Sequence, residues 1–192
     1  MTDIINSVVV LLNFVIIPGL SYGSQLALGA LGVTFVYAIL RFANFAHGEL
    51  MSFGAMITIL FTWFFQSQNI GLGILPTALL ALPFGILATI ILGLLSDKFV
   101  FKYYRTQKSV PVVLAMVSIG VMFVVNAIIR IIVGTETIKF SDGQKFIMKA
   151  KEFKLMTGLS EGLALKSSQV ITILITIALL TFTFWFLQKT KT

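Results

Sequence analysis

The sequence predicts an all-α, polytopic transmembrane helix bundle, and three observations predict it. Of the 192 residues, 58% are hydrophobic and only 11% charged, against about 25% charged in an ordinary soluble domain. The mean hydropathy is +1.02. The apolar residues fall in long blocks, several reaching the ~20 residues that a helix needs to cross a bilayer. A soluble core of this size would need polar faces to cover it, and the sequence lacks them.

About six apolar segments follow in order. The first, Ile4 to Leu20, is the weakest, because it is short and Asn6, Asn13 and Pro18 interrupt it. It either spans or re-enters. The second runs from Tyr22 to Leu40 and ends at Arg41, and the third from Leu50 to Phe65. The fourth, Ile70 to Leu95, contains Pro76 and Pro83, and Pro83 removes a backbone donor and should kink it. The fifth opens at Pro111, where a fixed φ suits the first helical position, and ends near Val133. The sixth runs from Val170 to Leu187. Small-residue pairs four apart (Gly19 with Gly23, Gly23 with Ala27, Thr89 with Gly93) fit close helix packing in lipid. Trp63 and Trp185 lie near segment ends, where aromatic rings anchor at headgroups.

The net charge of +7 is spread over the connections between segments, with no contiguous basic stripe of the kind that binds nucleic acid. The connection 96–110 packs Lys98, Lys102, Arg105 and Lys108 against a single Asp97. A short basic loop of this kind is expected in the cytoplasm. The region from Arg41 to Glu49 then lies toward the cytoplasmic side and the turn from Gln66 to Asn69 outside. Residues 134–168 become an external loop, although Lys139, Lys145, Lys149, Lys151, Lys154 and Lys166 fall in it. The N-terminus is cytoplasmic if the first segment spans and external if it re-enters. Met1 to Asn6 carries Asp3 and no basic residue, which argues against a cleaved signal peptide. The absence of cysteine from the sequence excludes disulfides and thiolate metal sites.

One stretch breaks the apolar pattern: Arg41-Phe42-Ala43-Asn44-Phe45-Ala46-His47-Gly48-Glu49-Leu50-Met51. It is too short for an ordinary polar loop, so Asn44, His47 and Glu49 sit at or within the membrane boundary. An ionised group at mid-membrane costs ~2.5–3.5 kcal/mol on the insertion scale, and such groups usually face a cavity or a partner. Gly48 would let the backbone turn or approach another chain closely. Local roles compete with this reading and are favoured by the chemistry alone. Asn44 could cap the third helix, Glu49 would suit its first turn, and His47 could hydrogen-bond nearby. His47 and Glu49, two residues apart, do not share a helical face, and the chain has one histidine. No metal site, catalytic residue or cofactor is expected. Arg130 could snorkel to the interface, and Gln25 and Asn126 could bond between helices.

Asn44-Phe45-Ala46-His47-Gly48-Glu49, followed by Met51 and Gly54, resembles the signature of the membrane permeases of branched-chain amino acid ABC importers. The stretch from Gly19-Leu20-Ser21-Tyr22-Gly23 through Ala27, Gly29 and Gly32 to Tyr37 is similar too. So is Pro111-Val112-Val113-Leu114 with Ser118-Ile119-Gly120. The resemblance implies a single permease-type domain over 1–192 in a bacterial inner membrane, without enzymatic activity of its own. It implies a second permease subunit, two cytoplasmic ATPases and a periplasmic or extracellular substrate-binding protein as partners, the lipid bilayer around them, and no nucleic acid. Asn44, Phe45, His47, Gly48 and Glu49 are the expected wall of the substrate path. The external loop would face the binding protein, with a plain solvated loop the equal alternative. The family continues beyond the position of Lys189-Thr190-Lys191-Thr192, through a segment that docks on the ATPase, so a fragment or truncated product is expected. Branched-chain or other hydrophobic amino acids are the expected cargo. Urea or a short amide is the alternative within the family, and a passive channel or facilitator the alternative outside it. A membrane-embedded enzyme ranks last, for want of paired acids.

Overall fold

The computed structural model describes residues 2–71, 75–134, 140, 142, 146–158 and 160–189, with the side chains of residues 2 and 3 excepted. Of the charged residues weighed above, Lys139, Lys145 and Lys191 lie outside them.

Helix dominates. In chain order the elements are α1 (Thr2–Leu11), a π-helical turn (Leu12–Ile16), α2 (Ile17–Leu40), α3 (Ala46–Ser67) and α4 (Ala78–Ser96). A second π-helical turn (Asp97–Phe101), α5 (Lys102–Thr106) and α6 (Pro111–Val133) come next. Strand β1 (Phe146–Met148), α7 (Ala150–Thr157), strand β2 (Leu165–Lys166) and α8 (Ser167–Lys189) complete the described chain. Among the described residues, five helical runs are long and apolar enough to cross a membrane: Ile4–Leu40, Ala46–Ser67, Ala78–Thr106, Pro111–Val133 and Ser167–Lys189.

Five spans replace six segments because the first two join into one helical run of 37 residues. Pro18 would be expected to break it, since its ring clashes with the carbonyl four residues back. The π-helical turn lies just before it, where the Ile17 N–H donates to the Leu12 carbonyl, five residues back. That wider turn accommodates the proline, and the helix passes through. The connection 96–110 is likewise mostly helix. Its charged and tyrosine side chains prolong the fourth run to Thr106, and Arg105 pairs with Asp97 at 2.6 Å on the surface. The fourth span begins later than its hydropathy suggests, at Ala78, just after Pro76. Pro111 opens α6 as the sequence predicts, with Val110 extended (ψ 151°) before it, the conformation that a following proline imposes.

The chain forms two compact units. One comprises residues 1–31, 73–76 and 142–192. Within it, the stretch expected as an external loop carries regular structure where it is described: β1 pairs antiparallel with β2, Phe146 opposite Lys166 and Met148 opposite Leu165. The short helix α7 ends at Gly158 in the left-handed region (φ 68°), a usual helix stop. The Asn13 side-chain oxygen accepts the Ala164 N–H at 3.2 Å. The polar residue that weakened the first segment thus secures the loop. On α8, the Lys189 ammonium lies 4.9 Å from the centre of the Trp185 ring.

The other unit comprises residues 32–72 and 77–141. Here α3 packs against both α4 and α6. Its core holds Phe42, Ala46, Phe101, Leu114, Val121 and Val125. The α3–α4 crossing is close. A Cβ on Gly54 would collide with the Thr89 hydroxyl, and one on Gly85 with the Thr58 hydroxyl and, at 2.7 Å, with the Gly54 carbonyl oxygen. The two hydroxyls are held in place by their own helices. Thr58 donates to the Gly54 carbonyl at 2.9 Å and Thr89 to the Gly85 carbonyl at 2.8 Å. Close approach therefore falls at Gly54 and Gly85. A Cβ on Gly19, Gly23 or Gly93, three of the small residues paired by spacing, meets nothing within 4 Å among the described residues.

Candidate functional site: a recessed helix break and its cleft

The break between α2 and α3 is built from local chemistry. Arg41 ends α2 in the left-handed region (φ 59°), and its N–H donates to the Tyr37 carbonyl at 2.9 Å. Four residues later the chain turns into α3. The Asn44 side-chain oxygen accepts the Ala46 N–H at 3.1 Å, and its carbonyl accepts the His47 N–H at 3.2 Å. Asn44 thus satisfies a backbone donor that the start of a helix leaves free. The capping role weighed from sequence is the geometry observed, offset by one residue.

A tertiary bond fixes the depth of this break. The Phe45 N–H donates to the Ser118 hydroxyl oxygen at 3.0 Å, and Ser118 donates in turn to the Ala115 carbonyl at 2.6 Å. Ser118 is fully buried and lies two turns into α6, so the break is recessed by about 10 Å from the start of that helix. Phe42 agrees with this level. It packs on Phe101, ring centres 5.8 Å apart, and the helix continues beyond Phe101 to Thr106.

The side chains after the break diverge. His47 turns toward α2. A Cβ on Gly32 would lie 2.8 Å from its Nε2, so the imidazole occupies the space that the glycine leaves. That Nε2 is buried with no hydrogen-bond partner among the described residues, a situation that costs about 1–3 kcal/mol. Gly48 sits within α3 without a positive φ, so it makes no turn, and a Cβ there would meet nothing within 4 Å among the described residues. Its openness, not a tight fit, is what the structure displays. Glu49 turns toward α6. The Asn126 amide donates to Glu49 Oε1 at 3.0 Å, and Arg130 Nε donates to Asn126 Oδ1 at 2.7 Å. The amide therefore sits between carboxylate and guanidinium, bonded to both in the sense its dipole favours. Arg130, expected to reach for the interface, is engaged by its neighbour on α6.

A cleft of about 480 Å³ opens beside the break, lined by Val33, Thr34, Val36, Tyr37, Ala43, Asn44, Phe45, His47 and Gly48. Asn44, Phe45, His47 and Gly48 are thus brought together, and Glu49 is not among the lining residues. The α2 wall, Val33 to Tyr37, went unread from sequence, because an apolar helix face carries no local sign of what it faces. Asn126 and Arg130 were legible in principle, being four apart and hence on one face of α6. No cluster of three or more His, Asp or Glu side chains that could hold a metal occurs among the described residues.

Five apolar helical runs, interrupted by a polar break beside a mostly apolar cleft, define a multi-pass membrane protein. Comparison with protein families specifies it further. The profile of the branched-chain amino acid transport system permease component matches residues 15–192. The chain belongs to this family of transport permeases. Neither the curated proteins nor the solved structures contain a match to it.

Proposed function

We propose that the chain is the permease subunit of an ATP-driven importer for branched-chain or other hydrophobic amino acids, and that the cleft beside the break is part of its translocation path. The observation that carries the reading is the convergence of Asn44, Phe45, His47 and Gly48 on one cleft. Its lining is mostly apolar with a few polar groups, the composition that suits a small cargo with an aliphatic side chain and polar ends. Glu49 supports the wall from behind through Asn126.

In this reading the chain sits in a bacterial inner membrane, with the basic end of the fourth run in the cytoplasm. The joined run Ile4–Leu40 then crosses once and leaves the N-terminus outside. The β1–α7–β2 region is external too, facing a substrate-binding protein. A second permease subunit completes the path, and two cytoplasmic ATPases drive it.

Uptake of labelled leucine, isoleucine, valine and urea into cells carrying the complete transporter tests the proposal. Branched-chain uptake that stops when the ATPase is inactivated supports it. Uptake that persists without the ATPase or the binding protein would make the chain a passive facilitator, and uptake of urea alone would move the cargo within the family. Gly48→Leu, which fills the cleft, and Glu49→Lys, which sets a cation against the Asn126–Arg130 pair, should each abolish uptake while leaving the chain in the membrane. Wild-type transport by both would remove the path from this site.

A further inference from the structure

The imidazole of His47 is held by an absence. Nothing donates to its Nε2 or accepts from it among the described residues. What admits it into the α2–α3 seam is the missing side chain of Gly32, whose Cβ would stand 2.8 Å from Nε2 and 3.4 Å from Cε1. The atoms in conflict are the far end of a side chain that can rotate, so a methyl at position 32 displaces the imidazole before it displaces a helix. His47 also lines the cleft of about 480 Å³, so a ring displaced from the seam has that space to turn into.

We propose that Gly32 is a positioning residue that acts through His47: it seats the imidazole in the seam and so holds the cleft open. With any side chain at position 32 the ring leaves its seat and occupies the cleft. Among the described residues no hydrogen bond locks the ring at Nε2, so seating depends on shape and a small change in the seam can move it.

The sequence has no cysteine, which makes the test direct. Gly48→Cys places one thiol in the cleft at a position where a Cβ meets nothing within 4 Å. Its alkylation by a water-soluble maleimide is followed in membranes containing the full chain. Adding Gly32→Ala should slow alkylation by about tenfold, a rate change equivalent to about 1.4 kcal/mol. Adding His47→Ala to that variant removes the displaced ring and should restore the rate to within about twofold, as a pairwise coupling requires. An unchanged rate in the Gly32→Ala chain overturns the proposal, because the ring would then have moved away from the cleft, for example toward Ser96 and Asp97, which line a smaller cavity with it. Slowing that His47→Ala does not relieve also overturns it, since Gly32 would then act through the helix seam. A Gly32→Ala chain lost from the membrane supports the seat only if His47→Ala brings it back, and otherwise refutes it. None of these readouts requires transport, so the seat and the path can fail separately.

Discussion

Gly85→Ala is the sharpest test of how the helices in the second unit are packed. In lipid the neighbouring tails are as apolar as the helices, so close packing carries much of the association. The new Cβ would collide with the Thr58 hydroxyl and stand 2.7 Å from the Gly54 carbonyl oxygen. The hydroxyl can rotate away at the expense of its 2.9 Å bond to the Gly54 carbonyl, but the backbone oxygen cannot. Reaching an ordinary contact of about 3.5 Å requires α3 and α4 to part by about 0.8 Å, and a gap of that size forfeits a quarter to a half of each dispersion contact along the seam. Overpacking of this kind costs about 1–3 kcal/mol, and the better helix propensity of alanine returns up to about 1 kcal/mol. A net loss of about 1–2 kcal/mol is expected, or a fall of about 2–8 °C in Tm for a chain of this size. Thermal unfolding in detergent micelles, followed by circular dichroism, measures it. Gly93→Ala is the control on the same helix, because a Cβ there meets nothing within 4 Å, and it should leave Tm unchanged or raise it. A Gly85→Ala chain as stable as wild type, or equal losses at positions 85 and 93, would refute close packing at this seam.

Other expectations follow from the break. Ser118→Ala removes the acceptor of the Phe45 N–H and should lower stability by about 1–3 kcal/mol, read as a loss of Tm. Asn126→Ala deprives both Glu49 and Arg130 of their partner. It should cost a similar amount, and double-mutant cycles between positions 49, 126 and 130 should show coupling of about 0.5–3 kcal/mol. Arg41→Gly relieves a left-handed residue that costs about 1–2 kcal/mol in a non-glycine chain. After the entropy that glycine adds to the unfolded state, it should raise stability by up to about 1 kcal/mol, again read from Tm.

What could be read in the sequence was what depends on composition and nearest neighbours. The apolar blocks marked the five apolar helical runs among the described residues, though they divided the first in two, and Pro111 marked the start of α6 to the residue. The polar break was found because its residues interrupt a hydropathy pattern. What could not be read depends on contacts between distant residues. The Phe45–Ser118 bond spans 73 positions and sets the depth of the break, yet a serine in an apolar helix gives no sign of its partner. Pro18 looked like an interruption of the first segment because the rule for proline is local, and the π-helical turn that absorbs it has no comparable signature. The four-residue spacing that suggested Gly19, Gly23 and Gly93 as packing sites carries no sign of what stands opposite. Gly54 and Gly85 have the same local look and differ only in what stands opposite. The fold of the region from Phe146 to Lys166 was missed for a related reason: a mixed-charge stretch reads as solvated loop, whereas its order comes from strand pairing and from Asn13, more than a hundred residues earlier.

The break also shows how one short motif can serve two surfaces. Once Ala46 enters α3, successive side chains advance by about 100° around the helix. His47 and Gly48 therefore fall toward α2 and the cleft, while Glu49, about 200° on from His47, falls on the far side toward α6. A residue motif that is continuous in sequence is thereby divided in space. One part lines the cleft, and the other bonds to Asn126 and through it to Arg130. The two parts should respond differently to substitution in a transporting complex. Glu49→Gln keeps an acceptor for the Asn126 amide and should retain most uptake. Glu49→Ala loses that acceptor, weakens the hold of α3 on α6 and should reduce uptake together with Tm. At Gly48, by contrast, Gly48→Leu should remove uptake with little change in Tm, because the added side chain enters open space. If Glu49→Gln were as inactive as Glu49→Ala at unchanged Tm, the carboxylate would have to act on the cargo itself, and the division between a lining part and a supporting part would be wrong.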